Sequence, residues 1–201
     1  MLFRSWLCCK RSNRRLGRRA ARARHASGLD ADANPLHGLA MPRTSLNREP
    51  VWAFVALGAN LGDAQQTVQD AIKALGELPL TSLLAASRLY QTAPHQAVGP
   101  DFVNAVAKLS TRLSAPDLMQ CLGSLEQKAG RTRSFLNAPR TLDLDLLFYG
   151  DAVVQSDRLT LPHPRWATRA FVLWPLRDVA PDKVTPAHLA AVSGQVIRGL
   201  P

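Results

Sequence analysis

Residues 140–150 read RTLDLDLLFYG, the most informative segment of the chain. Apolar residues that recur with a period of two predict a β-strand over 141–148. Those facing the core are Leu142, Leu144 and Leu146. Asp143 and Asp145 share the opposite face, although carboxylates are rarely buried without a partner. Because two neighbouring anions repel each other, the segment predicts either a binding site for a cation or a charge-paired, half-solvated strand.

The segments before this strand predict three more strands. VWAFVAL is β-prone, LLAASRLYQT and FVNAVAKLST follow it, and a Pro- and Gly-rich loop separates the last two. That loop is too long for a tight hairpin turn, so we expect it to take part in binding. The predicted strands before residue 141 are 51–57, 83–92 and 102–111.

Helical spacing of apolar residues predicts four helices. Asp63 is placed to cap the first, and Ser114 or Ala115 to cap the second, which has Pro116 in its first turn. Pro175 is expected at or near the end of the third. The predicted helices are 64–75, 116–129, 165–176 and 187–193.

The order strand–helix–strand–strand–helix–strand is that of the ferredoxin-like split βαβ arrangement. It predicts an α+β sandwich with a mainly antiparallel sheet and helices packed against it. With 201 residues and 46% hydrophobic composition, the chain is long enough for one domain with a real core. We expect that domain over 51–201, preceded by a basic extension over 1–50.

The formal charge of +10 is concentrated in the extension. Residues 1–40 hold nine Lys and Arg against two Asp, a net +7, which leaves +3 for the remainder. The extension lacks the long apolar stretch of a secretory signal or a membrane span. A transit peptide, a basic arm for nucleic acid, a disordered segment and an upstream start before Met41 all fit, and we favour the last two.

Cysteine usage points to a reducing compartment. The three cysteines are Cys8, Cys9 and Cys121, an odd number with no C-x-x-C pair. This pattern implies neither a disulfide framework nor a zinc site. We therefore expect a cytoplasmic protein.

Arginines surround the two aspartates in the sequence. They are Arg131, Arg133, Arg140, Arg158, Arg165 and Arg169. Six guanidinium groups exceed what two carboxylates need, whereas arginine binds phosphate oxygens in pairs. Mg²⁺ takes carboxylate and phosphate oxygens together. The set therefore favours a metal-assisted polyphosphate site over a merely solvated charged surface.

Five motifs carry a resemblance to a known family. They are ALGANLGD (56–63), GPDFVNAV (99–106), GRTR (130–133), APRTLDLDLLFYG (138–150) and LTLPHPRWATRAFVLWPL (159–176). Together they resemble the 6-hydroxymethyl-7,8-dihydropterin pyrophosphokinases of folate synthesis, across about residues 51–182. The resemblance implies transfer of the pyrophosphoryl group of ATP to the pterin alcohol, with release of AMP. It also implies two Mg²⁺ ions bound with ATP and a ferredoxin-like core.

The resemblance also assigns site residues. It implies metal ligation by Asp143 and Asp145, and catalytic assistance by Arg131 and Arg140. The positions that match the pterin site are Gly58, Thr92, Pro94, Phe102, Asn104 and Phe171. The positions that match the ATP site are Glu126, Arg133, Leu146, Arg158, Thr160, His163 and Arg169. Aromatic faces and an amide with both donor and acceptor suit a flat pterin ring independently.

Two loops, 94–101 and 131–139, are expected to close over the substrates and exclude water. Asn137 stands where some family members have a tryptophan that covers the pterin. Phe135 or Leu136 would have to take that place here.

Two other functions fit parts of the pattern. A palm-type nucleotidyltransferase or cyclase also sets paired aspartates on a ferredoxin-like sheet, but it would release pyrophosphate rather than AMP. A ferredoxin-like RNA-binding module would need aromatic residues in the RNP pattern, which the strands lack. We expect a monomer that binds ATP and the pterin, without nucleic-acid or membrane partners.

Overall fold

A computed structural model describes residues 48–94, 99–130 and 141–201. These belong to one compact unit, Met41–Pro201, so the predicted extension lies almost wholly outside the described residues. The strands are β1 Val51–Ala59, β2 Thr81–Ala86, β3 Tyr90–Thr92, β4 Phe102–Thr111, β5 Asp143–Tyr149, β6 Val154–Gln155, β7 Thr160–Leu161 and β8 Ile197–Gly199. The helices are α1 Ala64–Gly76, α2 Ala115–Lys128, α3 Ala170–Val179 and α4 Pro186–Ala191.

Six strands form one antiparallel sheet, which confirms the predicted ferredoxin-like α+β arrangement. The order is β5-β1-β4-β3-β8, and β2 pairs with β4 beside β3. β6 and β7 form a separate two-stranded hairpin. Within the described residues, no helix combines the length and apolar composition needed to cross a bilayer.

Each face of the sheet covers its own hydrophobic core. On one face, α1 and α2 pack through buried residues such as Val68, Leu75, Leu118 and Leu122. The opposite face carries a second core built around α3 and α4. Its sheet residues are Phe54, Val106, Leu147 and Phe148. This second face is the one toward which the aspartates of β5 point.

The predicted helix caps of α1 and α2 are confirmed. The side chain of Asp63 accepts from the N–H of Gln66 at 2.9 Å, and Ser114 accepts from the N–H of Asp117 at 3.3 Å. Both bonds satisfy backbone donors that the first helical turn leaves without partners. The choice between Ser114 and Ala115 is thus settled in favour of the serine.

The single strand predicted over 83–92 is wrong, because the structure divides it into β2 and β3. The pairing with β4 shifts register between Leu83 and Ala85. Beyond this bulge, the hydroxyl of Ser87 accepts from the N–H of Val106 at 3.0 Å. A side-chain bond of this kind competes with a regular strand ladder and interrupts the strand.

The helix predicted over 165–176 is wrong in both bounds. A short 3₁₀ turn, Trp166–Thr168, precedes α3, and Pro175 lies inside the helix rather than at its end. Pro175 and Leu176 are buried against the sheet, so tertiary packing outweighs the helix-breaking effect of proline. β8 was not predicted at all.

Candidate active site

The two aspartates of β5 lie on the face of the sheet that α3 covers only in part. β5 pairs with β1, and the register shifts between Phe54 and Val55. The bulge leaves Leu147 without a partner on β1, so the chain has two consecutive residues, Leu147 and Phe148, in the second core. Asp143 and Asp145 precede the bulge on that same face, and each is half-buried. The strand thus changes along its length from a hydrophobic contact with α3 to an accessible pair of carboxylates.

Two basic side chains approach Asp145. Nη1 of Arg169 lies 3.9 Å from its Oδ2, and Nε2 of His163 lies 4.0 Å from the same atom. The side chains of Arg169 and His163 are only 17% and 18% exposed, whereas that of Asp145 is 40% exposed. The arrangement holds two nearly buried donors beside a carboxylate that a ligand can reach.

His163 is held in a defined tautomer. Its Nδ1 accepts from the N–H of Arg165 at 3.2 Å, so in the neutral ring the proton is on Nε2, toward Asp145. Burial is the largest cause of a lowered pKa for this imidazole, and Arg169 and Arg165 lower it further. Asp145 and Asp143 act in the opposite direction. The site therefore favours a neutral histidine with its Nε2–H directed toward Asp145.

Gly58 joins the aspartates to the residues predicted to bind the pterin. In β1 it pairs with Asp143 of β5 on one side and with Asn104 of β4 on the other. Residues that pair directly across an antiparallel ladder project from the same face. Asp143 and Asn104 therefore flank Gly58 on one surface.

The absence of a side chain at Gly58 makes room for the amide of Asn104. A Cβ on Gly58 would lie 3.3 Å from Oδ1 of Asn104. Asn104 is buried, and its Nδ2 donates to Oγ1 of Thr92 at 3.0 Å. The two polar side chains thus hold each other in place beside the glycine.

The remaining residues predicted for the pterin lie at the same end of the sheet. Phe102 pairs with Thr92 and is half-buried. Phe171, also half-buried, is in the first turn of α3, and the guanidinium of Arg169 stacks over its ring at 5.3 Å. Pro94 follows β3 at the beginning of the loop toward Phe102. Phe102 therefore lies beside the Thr92–Asn104 pair, and Phe171 lies beside Arg169.

Two residues predicted to bind ATP are buried. Glu126, on α2, is 8% exposed, and its Oε1 accepts from the N–H of Leu144 at 2.8 Å. This bond ties α2 to the peptide between the two aspartates. Leu146 is 3% exposed and belongs to the first core, so its side chain is directed away from the aspartate face.

The other residues predicted for ATP divide into two groups. Arg158 and Thr160 are exposed in the β6–β7 hairpin, and no hydrogen bond or ion pair described for residues 141–201 joins them to the aspartates. Arg133, with the predicted catalytic residues Arg131 and Arg140, lies outside the described residues. The same is true of the predicted lid, Phe135 or Leu136.

Asn60 is a buried polar residue next to the candidate site that the sequence interpretation did not single out. It is 2% exposed, and its Nδ2 donates to the carbonyl of Pro100 at 3.2 Å. The bond ties the end of β1 to the segment that leads into Phe102. A polar side chain directly after a buried strand was the available signal.

The donor set of this surface fits Mg²⁺. Asp143 and Asp145 present hard carboxylate oxygens from one face of a rigid strand, and Asp145 remains accessible. Mg²⁺ is usually bound through one or two carboxylates, with phosphates and waters completing its shell. Arg169 beside Asp145 suits the phosphate groups that would share such an ion.

Comparison with known sequences gives a consistent result. The sequence profile of the family described as 7,8-dihydro-6-hydroxymethylpterin-pyrophosphokinase matches residues 54–181. A protein of Pseudomonas aeruginosa named 2-amino-4-hydroxy-6-hydroxymethyldihydropteridine pyrophosphokinase is 43% identical over 155 residues, or 74% of this chain and 96% of that protein. A Haemophilus influenzae protein of the same name is 41% identical over 137 residues, or 68% of this chain and 86% of that protein.

Solved structures show the same fold at much lower identity. A crystal structure of wild-type Plasmodium falciparum HPPK-DHPS with SDX-DHP aligns at a TM-score of 0.52 and 13% identity. A structure described as HPPK-DHPS in complex with substrates aligns at 0.53, also with 13% identity. In both, the alignment covers 72% of this chain but only 43% of the solved chain. The likeness therefore concerns the fold of less than half of those proteins.

Proposed function

The chain belongs to the 7,8-dihydro-6-hydroxymethylpterin-pyrophosphokinase family, and we propose that the surface around Gly58 carries its reaction. The protein is an enzyme that transfers the pyrophosphoryl group of ATP to 6-hydroxymethyl-7,8-dihydropterin. The products are the pterin diphosphate and AMP, and the reaction is a step of folate biosynthesis. The observation that carries the proposed site is the pairing of Gly58 with both Asp143 and Asn104.

This pairing supplies the proximity that the transfer needs. Asn104 and Asp143 lie two inter-strand spacings apart, about 10 Å, and the pterin and the phosphates of ATP would fill that span together. Because Gly58 has no side chain, only the Asn104 amide occupies the surface directly above it. Two reactants held in this way react as if in one molecule, which contributes several kcal/mol to catalysis.

Asp143 and Asp145 are proposed to hold Mg²⁺, and the family resemblance favours two ions. When bound, Mg²⁺ supplies neutralisation of the charge on the phosphate oxygens. The aspartates keep the required geometry because they belong to a strand paired along β1 and tied to α2 by Glu126. The chain thus supplies a rigid anionic surface before any ligand binds.

Arg169 and His163 are proposed to bind the phosphates of ATP. Both are nearly buried, so their interactions with an anion are less screened than those of exposed groups. Arg158, Thr160, Arg133, Glu126 and Leu146 complete the proposed nucleotide site. Of these, Glu126 acts through the N–H of Leu144, and Leu146 can contribute only main-chain atoms.

The pterin is proposed to bind between Phe102 and Phe171, with Asn104 and Thr92 at its polar edge and Gly58 and Pro94 beside it. Its hydroxyl oxygen attacks the β-phosphorus, and the bond from that phosphorus to the oxygen bridging the α- and β-phosphates breaks. AMP leaves with that oxygen, and the hydroxyl proton passes to solvent. Arg131 and Arg140 are proposed to stabilise the charge that develops on the phosphoryl oxygens.

The decisive assay follows ATP labelled at the α-phosphorus. Purified protein, Mg²⁺ and 6-hydroxymethyl-7,8-dihydropterin should place all converted label in AMP, and pterin diphosphate should form in equal amount. A nucleotidyltransferase would instead place the label on the acceptor and release pyrophosphate. Formation of ADP, or AMP without a pterin product, would also contradict the proposal.

We further propose that the enzyme acts as a monomer in the cytoplasm, without nucleic acid. In support, the site residues described within 48–94, 99–130 and 141–201 all belong to one chain. Light scattering of the purified protein at micromolar concentration tests this. A dimer as the smallest species would contradict it.

A further inference from the structure

Helix α3 begins without a cap from its own N-terminal residue. Arg169 occupies the N-cap position, and its side chain makes no capping hydrogen bond. Arginine is unusual there, since Ser, Thr, Asp and Asn are strongly preferred and a positive charge opposes the helix dipole. Such a local violation is expected where a side chain is retained for function.

A residue far along the chain supplies the missing cap. Oε1 of Gln195 accepts from the N–H of Ala170 at 2.9 Å. Nε2 of the same side chain donates to the carbonyl of Thr168, also at 2.9 Å. One amide group therefore bonds the main chain on both sides of Arg169.

The segment that contains Gln195 also reaches the proposed pterin site. Two residues later, Ile197 in β8 pairs with Thr92 of β3, and Thr92 accepts from Asn104. This segment lies beyond the family match, which ends at residue 181. The segment 195–197 thus bonds the main chain at the start of α3 and pairs with the strand that carries Thr92.

We propose that Gln195 is a positioning residue for Arg169. By fixing the main chain at Thr168 and Ala170, it limits the directions in which the Arg169 side chain can project, toward Asp145 and over Phe171. Gln195 itself touches no reacting atom. It would lower the cost of ordering the guanidinium when the phosphates of ATP bind, and this inference rests on the proposed function of the site.

The test compares two variants. Gln195→Met has a side chain of similar length that can bond neither the N–H of Ala170 nor the carbonyl of Thr168, whereas Gln195→Glu retains only the acceptor for the N–H of Ala170. We expect kcat/KM for MgATP to fall about tenfold in Gln195→Met and less in Gln195→Glu, with KM for the pterin changed less than twofold. Gln65→Met, at a glutamine exposed on α1, is the matched control and should leave the kinetics unchanged. The second Gln195 variant keeps the test valid if the first fails to fold.

A double-mutant cycle separates positioning from general stability. In the Arg169→Ala background, Gln195→Met should change kcat/KM less than about twofold, because the group that it orients is gone. An equal loss in both backgrounds, or no loss in wild type, would overturn the proposal. Hydrogen exchange at the Ala170 amide, which should accelerate in Gln195→Met, is a readout independent of activity.

One assay series distinguishes failure of the proposed function from failure of the positioning role of Gln195. If the wild-type protein forms no AMP, the proposed function fails. If the wild type forms AMP and the Gln195 variants match it, only the positioning role fails.

Discussion

Oδ2 of Asp145 lies 4.0 Å from Nε2 of His163, so the proposed metal ligand and a proposed phosphate donor are electrostatic neighbours. The carboxylate opposes the effect of burial on the imidazole, because burial lowers the pKa of His163 and Asp145 raises it. Removing the charge of Asp145 should therefore lower that pKa further. The Asp145→Asn variant is the direct test.

In the protein without nucleotide, NMR should place the midpoint of His163 below its ordinary value of 6.5, and lower still in Asp145→Asn. The imidazole resonance that is lost in His163→Gln is the one that belongs to His163. Because the unfolded chain binds this proton at higher pH than the folded one, the group's contribution to stability is lost as pH falls below 6.5. A higher midpoint in Asp145→Asn would contradict the described geometry.

Neutralising either aspartate should affect turnover far more than folding. Asp143→Asn or Asp145→Asn removes a charge that is proposed to bind Mg²⁺, and should lower kcat/KM by about a hundredfold or more. The free energy of unfolding should change by less than about 1 kcal/mol, since both side chains are half-buried. Denaturant unfolding and AMP formation measure the two effects, with the exposed Asp151→Asn as control. Comparable losses of stability and activity would argue against a metal site.

Gly58→Ala should weaken pterin binding more than ATP binding. Its Cβ would meet Oδ1 of Asn104 at 3.3 Å, which forces the amide to move by a few tenths of an ångström. We expect the Kd for the pterin to rise about tenfold, because the hydrogen-bond geometry at Asn104 is disturbed. Calorimetric titration with each ligand measures this. An equal effect on ATP would mean that Gly58 does not separate the two sites as proposed.

The carboxylate of Glu126 should contribute to stability through the N–H of Leu144. Glu126→Ala leaves that buried donor without this acceptor and should cost about 1–3 kcal/mol of unfolding free energy. Glu126→Gln retains an acceptor oxygen and should cost less, and Gln127→Ala, on the exposed side of α2, should cost little. Urea unfolding distinguishes the three. If Glu126→Gln and Glu126→Ala lower the free energy of unfolding equally, the bond to Leu144 does not contribute to stability.

A chain that starts at Met41 should fold and retain full activity. Every described residue of the site falls within the compact unit Met41–Pro201, and this part carries only +3 of the total +10 charge. Thermal unfolding and AMP formation should match the full-length protein. An insoluble or inactive product would show that the basic extension contributes to the enzyme.

Local sequence predicted most elements and the fold. The alternation in LDLDL placed Asp143 and Asp145 on one face, and Asp63 and Ser114 marked the helix starts correctly. The errors occurred where distant residues intervene. Ser87 interrupts a strand by bonding Val106, and packing keeps Pro175 inside α3.

The sequence by itself therefore determined the family, the two-faced strand β5 and the types of residue in the site. Only the tertiary structure decided that Gly58 pairs with both Asp143 and Asn104, and that Gln195 holds the main chain around Arg169. The physical reason is the distance along the sequence between the residues that decide each feature. Strand faces and caps depend on neighbours within a few residues, whereas ladder register and a cap supplied from 25 residues away depend on how the whole chain packs.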